Sequence, residues 1–332
     1  MYKADNTPRA NLFKKHAIAA IILASFCANN ARAQEYPSQD LHLICAFPAG
    51  SGSDVVVRYF AEKLKPILNR NVFVDNKPGA NGMIAMNHSA RAKPDGHVIY
   101  LHTGSSMSAN MHIFKNVTMD AGKEFQVAAT INRQGFMMVV HKDSKIKTVE
   151  EMTALLKTKG EKATYATSAT SGTVMGEMYK AITGVKTVEV SYRIAKDSLN
   201  DLQSGHVDYG MHDPQFASAA ARQGSIRILG IATGQRMKFL PEVPTMAESG
   251  VPGMDLNGWF AAFVPMATPK PVVQKINELF KQVLTTQETI KFLNQFGGDP
   301  WITTPEEGQD FLLRDIKNWG EYVKIAKIEP RG

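Results

Sequence analysis

Short apolar runs alternate with segments of helical periodicity from Leu41 to about Gly234. The first run, "LHLICAF", has the length and the branched side chains of a buried strand. The apolar residues of the next segment recur at the spacing of one helix face: Val57, Phe60, Ala61, Leu64 and Leu68. The chain thus begins its ordered pattern with a strand followed by a helix.

The same alternation continues along the chain. Further strands are predicted at "NVFVDN", "HVIYLHT", "QVAATIN", "FMMVVHK", "KATYATS", "KTVEVSY", "HVDYGMHD" and "IRILGIAT". Helices are predicted at residues 83–92, 148–160, 172–183 and 196–204. Strands that alternate with helices of this length indicate βαβ units, so the fold class is α/β with mostly parallel sheets.

A stretch rich in Pro and Gly follows between Gly234 and Gly258 and predicts a long ordered loop. The strand "WFAAFVP" and two helices, 271–285 and 305–326, complete the chain. Thr304 and Glu307 predict a capping box at the start of the last helix. The early strands are assigned to one lobe and the middle strands to a second.

The amino-terminal segment has the pattern of a secretory signal peptide. Basic residues precede the apolar run Ala17–Ala28, and "ARA" at 31–33 suits a signal peptidase. That run of about 12 residues is shorter than the roughly 20 that span a bilayer. We therefore expect cleavage near Ala33–Gln34 and secretion of the mature chain.

Removing residues 1–33 changes the charge and the cysteine count. That segment carries five Lys/Arg and one acidic residue, so the formal charge falls from +7 to +3. With no run of basic residues remaining, nucleic acid is not an expected partner. Cys45 is the one cysteine of the mature chain, which excludes an internal disulfide, and its apolar surroundings predict a buried, inert thiol.

Small and hydroxyl-bearing residues follow several of the predicted strands. "PAGSGSD" follows the first strand, "TGSS" follows "HVIYLH", "TSATSGT" follows "KATYA", and "HDPQ" follows "HVDYGM". In open α/β sheets the ligand lies beyond the carboxyl ends of the strands, and helix N-termini attract anions. The glycine spacing fits neither nucleotide fingerprint, since "AGSGSD" lacks the P-loop lysine and Val55 replaces the third glycine of GxGxxG. A carboxylate is the expected anion.

Charged and aromatic residues near these loops allow two interpretations each. Asp54 is assigned to helix capping or to support of the first helical turn, whereas Asp213 is either a cap or a ligand-facing acceptor. Arg133 and Arg193 are surface residues or partners for a second carboxylate. Phe47 and Trp259 are core residues or aromatic contacts.

Catalytic motifs are scarce. The sequence contains neither GxSxG nor HExxH, and its histidines show no metal-ligand spacing supported by Cys or Glu. We expect no enzyme activity, no metal and no cofactor. A secreted hydrolase that uses Ser105, Ser168 or Ser171 is the alternative.

Ordered blocks of the mature chain resemble the Bug, or TctC-like, solute-binding receptors of the tripartite tricarboxylate transporter group. These blocks include "FPAGSGSDVVVRYFAEKL", "VFVDNKPGANGMIA", "ATYATSATSGTVMGEMYKAITG" and "FLPEVPTMAESGVPG". The resemblance implies a two-lobe periplasmic binding protein fold, each lobe a mixed sheet flanked by helices, with the ligand cleft between them. Lobe 1 is expected at 34–134 plus 257–332 and lobe 2 at 135–256.

The resemblance further implies a monomer that closes around a small carboxylate. It would deliver the ligand to a membrane permease of the tripartite type or, alternatively, to a signalling partner. The expected ligand-binding residues are Phe47, Pro48, Ala49, Gly50, Ser51, Gly52, Ser53, Asn81, Thr103, Gly104, Ser105, Ser106, Thr167, Ser168, Ser171, Arg193, Asp213 and Trp259.

Three departures from the family pattern bear on the ligand. "PAGS" stands where "APGG" is common, "SYRIAK" replaces "PYKG", and the loop after "YAT" is about two residues shorter. Together with the nearby Phe47, the shorter loop favours an aromatic mono- or dicarboxylate such as terephthalate.

Overall fold

A computed structural model describes residues 36–117, 119–192 and 194–330 of the chain. The predicted signal peptide and Arg193 lie outside these ranges. From Gln39 onward the chain forms one compact unit. In the described part of the chain, no helix combines the length and the apolar character that a bilayer crossing needs.

Eleven named strands form two sheets in the described residues. The strands are β1 (Leu41–Cys45), β2 (Val72–Asn76), β3 (Val98–Thr103), β4 (Phe125–Gly135), β5 (Met137–His141), β6 (Ala163–Thr167), β7 (Thr187–Ser191), β8 (Tyr209–His212), β9 (Ile226–Ile231), β10 (Asn257–Pro265) and β11 (Gly298–Pro300). The first sheet has the order β11-β4-β10-β3-β1-β2, and the second has the order β7-β6-β8-β5-β9.

The helices flank these sheets. They are α1 (Gly52–Leu68), α2 (Met83–Ala90), α3 (Gly104–Ile113), α4 (Ala121–Glu124), α5 (Val149–Lys159), α6 (Thr170–Thr183), α7 (Ser198–Ser204), α8 (Pro214–Arg222), α9 (Lys270–Leu284), α10 (Gln287–Gln295) and α11 (Pro305–Ile325). The predicted capping box is confirmed: the amide of Thr304 donates to Glu307, and the amide of Glu307 donates to Thr304 Oγ1.

Both sheets are mixed. Strand β1 is parallel to β2 and β3, and β6 is parallel to β7 and β8. Strand β10 runs antiparallel to β3 and β4, whereas β5 runs antiparallel to β8 and β9. The expected α/β class with two sheets is confirmed. The antiparallel share is larger than the strand–helix alternation predicted, because β5 and β10 each enter their sheet from the other sheet and not through a βαβ crossover.

Two segments connect the sheets, and they touch each other. Phe136 joins β4 to β5, and residues 232–256 join β9 to β10. The amide of Ala232 donates to the carbonyl of Phe136 at 2.8 Å. A Cβ on Gly135 would lie 2.2 Å from Ile231 Cγ2, so only glycine allows this approach.

Apolar clusters cover the faces of both sheets. Ile44, Tyr100, Phe125 and Phe263 belong to a cluster on the first sheet, together with Trp259. A larger cluster on the second sheet also contains Trp319 and Val323 from α11 and Ala326 directly after it. The last helix therefore packs against the cores of both sheets.

A buried carboxyl group lies beneath the first cluster. Asp315 is 5% exposed, and its Oδ2 accepts a hydrogen bond from Trp259 Nε1 at 2.9 Å. Burial raises the pKa of Asp315 to about 6, although the hydrogen bond from Trp259 acts in the opposite direction. Because its pKa is raised, Asp315 destabilises the folded state increasingly as the pH rises from about 4 to above 6.

We predict that Asp315→Asn stabilises the protein mainly at high pH. Asparagine keeps an acceptor for the indole N–H and removes the buried charge, so the gain in free energy of unfolding should be about 2 kcal/mol larger at pH 8 than at pH 4. Denaturant unfolding at the two pH values measures it. Asp310→Asn, at an exposed position of the same helix, is the control. An equal effect of Asp315→Asn at both pH values would contradict the prediction.

Candidate functional site

A cavity of about 480 Å³ opens between the ends of the two sheets. Its wall consists of the segments that follow β1, β3, β6 and β8, as the positions of the small, polar loops predicted. Asn81, Asn110, Gln134 and His102 add polar groups, and Phe136 and Trp319 add apolar surface. The cavity adjoins the crossing of the two connecting segments at Phe136.

Four helices begin at this cavity. The lining includes Ser53 from the start of α1, Ser105 and Ser106 from α3, Ser171 from α6 and Gln215 from α8. Each helix start carries unpaired N–H groups and roughly half a positive charge. Among the described lining residues there is no Lys or Arg. The cavity is thus suited to an anion held by N–H and O–H donors rather than by a basic side chain.

The loop before α1 is braced by Asp54. Its carboxylate accepts hydrogen bonds from the amide of Gly50 at 2.8 Å, from Asn76 Nδ2 at 2.7 Å and from Arg58 Nε at 2.8 Å. Burial acts to raise the pKa of Asp54, but the hydrogen bonds outweigh it and the pKa lies below its usual value. Ser51 caps α1 by accepting from the amide of Asp54 at 3.3 Å. Asp54 and Ser51 therefore shape the loop.

The junction between β3 and α3 leaves the hydroxyl proton of Ser106 available. Thr103 Oγ1 donates to Ser106 Oγ at 2.7 Å, and both residues line the cavity. Because Ser106 accepts this bond, its own O–H remains free to donate to a ligand. A Cβ on Gly104 would lie 1.9 Å from Trp259 Cε2, so Gly104 allows α3 to pack against the indole ring.

Asp213 lies at the cavity wall of the second sheet. It is the N-cap of α8, and its Oδ1 accepts from the amide of Phe216 at 2.9 Å. Burial raises the pKa of Asp213, while hydrogen bonds from backbone amides oppose that shift. Asp213 therefore caps a helix, as one interpretation predicted, and it also lines the cavity, where a ligand-facing acceptor would lie.

His102 is a buried neutral group of the lining. It is 3% exposed, its ring lies 5.1 Å from that of Phe47, and its Nδ1 has no hydrogen-bond partner in the protein. Burial lowers the pKa of His102 to about 3. His212, next to Asp213, is buried as well, and burial lowers its pKa to about 4. Neither imidazole supplies a positive charge near neutral pH.

Half of the expected ligand-binding residues line the cavity. These are Phe47, Pro48, Ser53, Asn81, Thr103, Ser105, Ser106, Ser171 and Asp213. The cavity lining does not include Ala49, Gly50, Ser51, Gly52, Gly104, Thr167, Ser168 or Trp259. Arg193 lies outside the described residues.

Local contacts explain several of these differences. Thr167 Oγ1 donates to Glu189 instead of reaching a ligand. Trp259 is 0% exposed and belongs to the core, so its assignment as an aromatic ligand contact is corrected. The guanidinium of Arg133 lies 4.2 Å above the ring of Trp301, away from the cavity.

Sequence reasoning missed several lining residues. His102 lies in a predicted apolar strand, and Gln134 lies just beyond the end of another. Asn110 lies inside α3, in which polar and apolar residues are not segregated onto separate faces. Gln215 belongs to "HDPQ", in which Asp213 is the predicted site residue. The one available signal was the presence of polar residues in strands that are otherwise apolar.

The two mixed sheets flanked by helices, with a cavity between their ends, form the α/β fold of periplasmic binding proteins. Residues 56–328 match the model of the tripartite tricarboxylate transporter family receptor, TctC. The chain belongs to this family, as its sequence blocks indicated. Similar proteins include BugT of Bordetella pertussis, 24% identical over 318 residues, which covers 95% of this chain and 98% of BugT.

Solved structures agree with this assignment. The periplasmic binding protein BugD is 26% identical with a TM-score of 0.73, covering 89% of this chain and 100% of BugD. An R. palustris protein solved with adipate is 26% identical with a TM-score of 0.77, at 89% and 100% coverage. The family and these structures are solute-binding proteins, which confirms the prediction that the chain is not an enzyme.

We predict that acid weakens the fold through His102 and His212. Because burial lowers both pKa values, protonation favours the unfolded chain, and stability is lost as the pH falls below about 6.5. Each histidine should account for about 2 kcal/mol of lost unfolding free energy between pH 7 and pH 5. Denaturant unfolding of His102→Gln should show a reduced loss. His206→Gln, at a side chain 77% exposed, is the control, and an identical pH dependence in His102→Gln would contradict the prediction.

We predict that Asp213→Asn changes ligand affinity and leaves the fold stable. Asparagine caps helices about as well as aspartate, so the free energy of unfolding should change by less than about 0.5 kcal/mol, whereas Asp213→Ala should lose about 1 kcal/mol. Removing this negative charge should raise the affinity for butanoate severalfold at pH 8. The gain should shrink as the pH falls, because burial raises the pKa of Asp213. Titration calorimetry tests both points, and unchanged affinity at pH 8 would assign Asp213 to capping alone.

Proposed function

We propose that this chain is a periplasmic receptor that captures a small carboxylate in the cavity between its sheets. The observation that carries the proposal is the meeting of four helix starts at a cavity whose described lining contains no Lys or Arg. Such a site compensates a negative charge through fixed N–H groups and hydroxyls. The family assignment and the adipate bound to the R. palustris relative support the same class of ligand.

The ligand is expected to be buried by closure of two lobes. We assign residues 34–134 plus 257–332 to one lobe and 135–256 to the other. The neighbouring connections at Phe136 and Ala232 are the natural hinge, because both join one sheet to the other and are hydrogen-bonded together. A ligand that contacts both lobes shifts the population toward the closed state in proportion to its additional contacts there.

Aromatic side chains in the cavity lining favour an aromatic mono- or dicarboxylate such as terephthalate within this class. Phe47 and Phe136 both line the cavity, and Phe47 packs on the ring of His102. Flat apolar walls with a few polar groups are typical of sites that hold aromatic ligands. After removal of its leader, the protein would act as a monomer and deliver the ligand to a tripartite tricarboxylate-type permease.

A thermal-shift screen of carboxylates tests the proposal. A carboxylate that binds the folded state should stabilise it by about 2.7 kcal/mol at a concentration of a hundred times its Kd. The panel contains succinate, adipate, benzoate and terephthalate, and each acid is paired with its neutral amide as control. We expect stabilisation by at least one acid and none by its amide. Stabilisation by sugars or cationic amino acids, without a response to any acid, would contradict the proposal.

A further inference from the structure

Gln134 is a buried polar residue of the first sheet. It lies next to the carboxyl end of β4, is 5% exposed and lines the cavity. Its Nε2 has no hydrogen-bond partner in the protein. The amide NH2 can only donate, and an unpaired buried donor costs about 1–3 kcal/mol. An acceptor oxygen inside the cavity would remove that cost.

Strand register places Gln134 apart from the loops that begin α1 and α3. Strand β10 lies between β3 and β4, with Phe260 opposite Thr103 and Gly258 opposite Gln134. Crossing two strands of about 4.8 Å and shifting two residues of about 3.4 Å separates the backbones of Thr103 and Gln134 by about 12 Å. Gln134 thus lies beyond the carboxyl end of β3, on the side where ligands of α/β sheets are found.

The strand between these two points also contributes to the cavity wall. Gly258, on the intervening strand, lines the cavity and has no side chain to fill it. The anion-binding helix starts therefore occupy one end of the cavity wall, and an unpaired neutral donor occupies another. A molecule with a single carboxylate satisfies the helix starts and leaves the Gln134 donor unpaired. A molecule with oxygen at both ends satisfies both.

We propose that Gln134 is a specificity-determining residue that donates a hydrogen bond to the second carboxylate of a dicarboxylate. This inference rests on the proposed function, in which the first carboxylate binds at the starts of α1 and α3. Because the Gln134 amide is neutral, it adds no positive charge to the site. It contributes discrimination between dicarboxylates and monocarboxylates of the same length, since only the dicarboxylate supplies an acceptor for a buried donor that is otherwise unpaired.

Matched acids test the assignment. Calorimetric titration of the full mature chain uses adipate with hexanoate, terephthalate with benzoate and succinate with butanoate. The wild type should prefer the dicarboxylate in at least one pair. Gln134→Leu, which removes the amide at similar volume, should weaken that dicarboxylate about tenfold and change its monocarboxylate less than twofold. Ser106→Ala, at the helix-start end, should weaken both acids of the pair equally.

The outcomes separate the two proposals. Three results would overturn the role of Gln134 and leave a carboxylate receptor. They are an equal effect of Gln134→Leu on both acids, no effect on the dicarboxylate, and a wild type that shows no preference in any pair. A wild type that binds none of the six acids would contradict the proposed function as well. If Gln134→Leu does not fold, Gln134→Glu decides, because its added negative charge should weaken the dicarboxylate more than the monocarboxylate; equal weakening would overturn the assignment.

Discussion

The carboxyl ends of strands in two separate sheets face one cavity, and the site depends on this constraint. Every helix that starts there brings unpaired N–H groups, which repel one another unless an anion or water lies between them. The helices α1 and α3 come from the first sheet, and α6 and α8 come from the second. The electrostatic field that favours a carboxylate is therefore a property of the two sheets in their mutual arrangement.

The connections between the sheets maintain this arrangement. Gly135 lets the segment after β4 approach Ile231 and Thr233, and the hydrogen bond from Ala232 to Phe136 joins the two crossings. Helix α11 adds a third link, because its Trp319 and Val323 pack in the core of the second sheet while Leu312 packs in that of the first. Two thin backbone crossings and one long helix are compatible with rotation of one sheet relative to the other.

The ionisable groups at and near the cavity have different roles. Asp54 is satisfied by Gly50, Asn76 and Arg58, and it fixes the shape of a loop without presenting charge to a ligand. Asp213 caps α8 and also faces the cavity, so its charge affects whatever binds. His102 remains neutral because burial lowers its pKa to about 3. The cavity therefore presents helix dipoles and neutral donors on most sides.

Local sequence patterns determined the α/β class, the capping box at Thr304 and the small, polar loops at strand ends, because these features depend on residues near one another in the chain. Only the tertiary structure decided which loop residues line the cavity. Phe47 lines the cavity. Trp259 instead packs under α3, and its indole N–H donates a hydrogen bond to Asp315. His102 and Gln134 belong to strands separated by β10, and their shared cavity follows from strand order and register. Strand order and register depend on hydrogen bonds between segments that are distant in the sequence, and a local hydrophobic pattern does not predict these bonds.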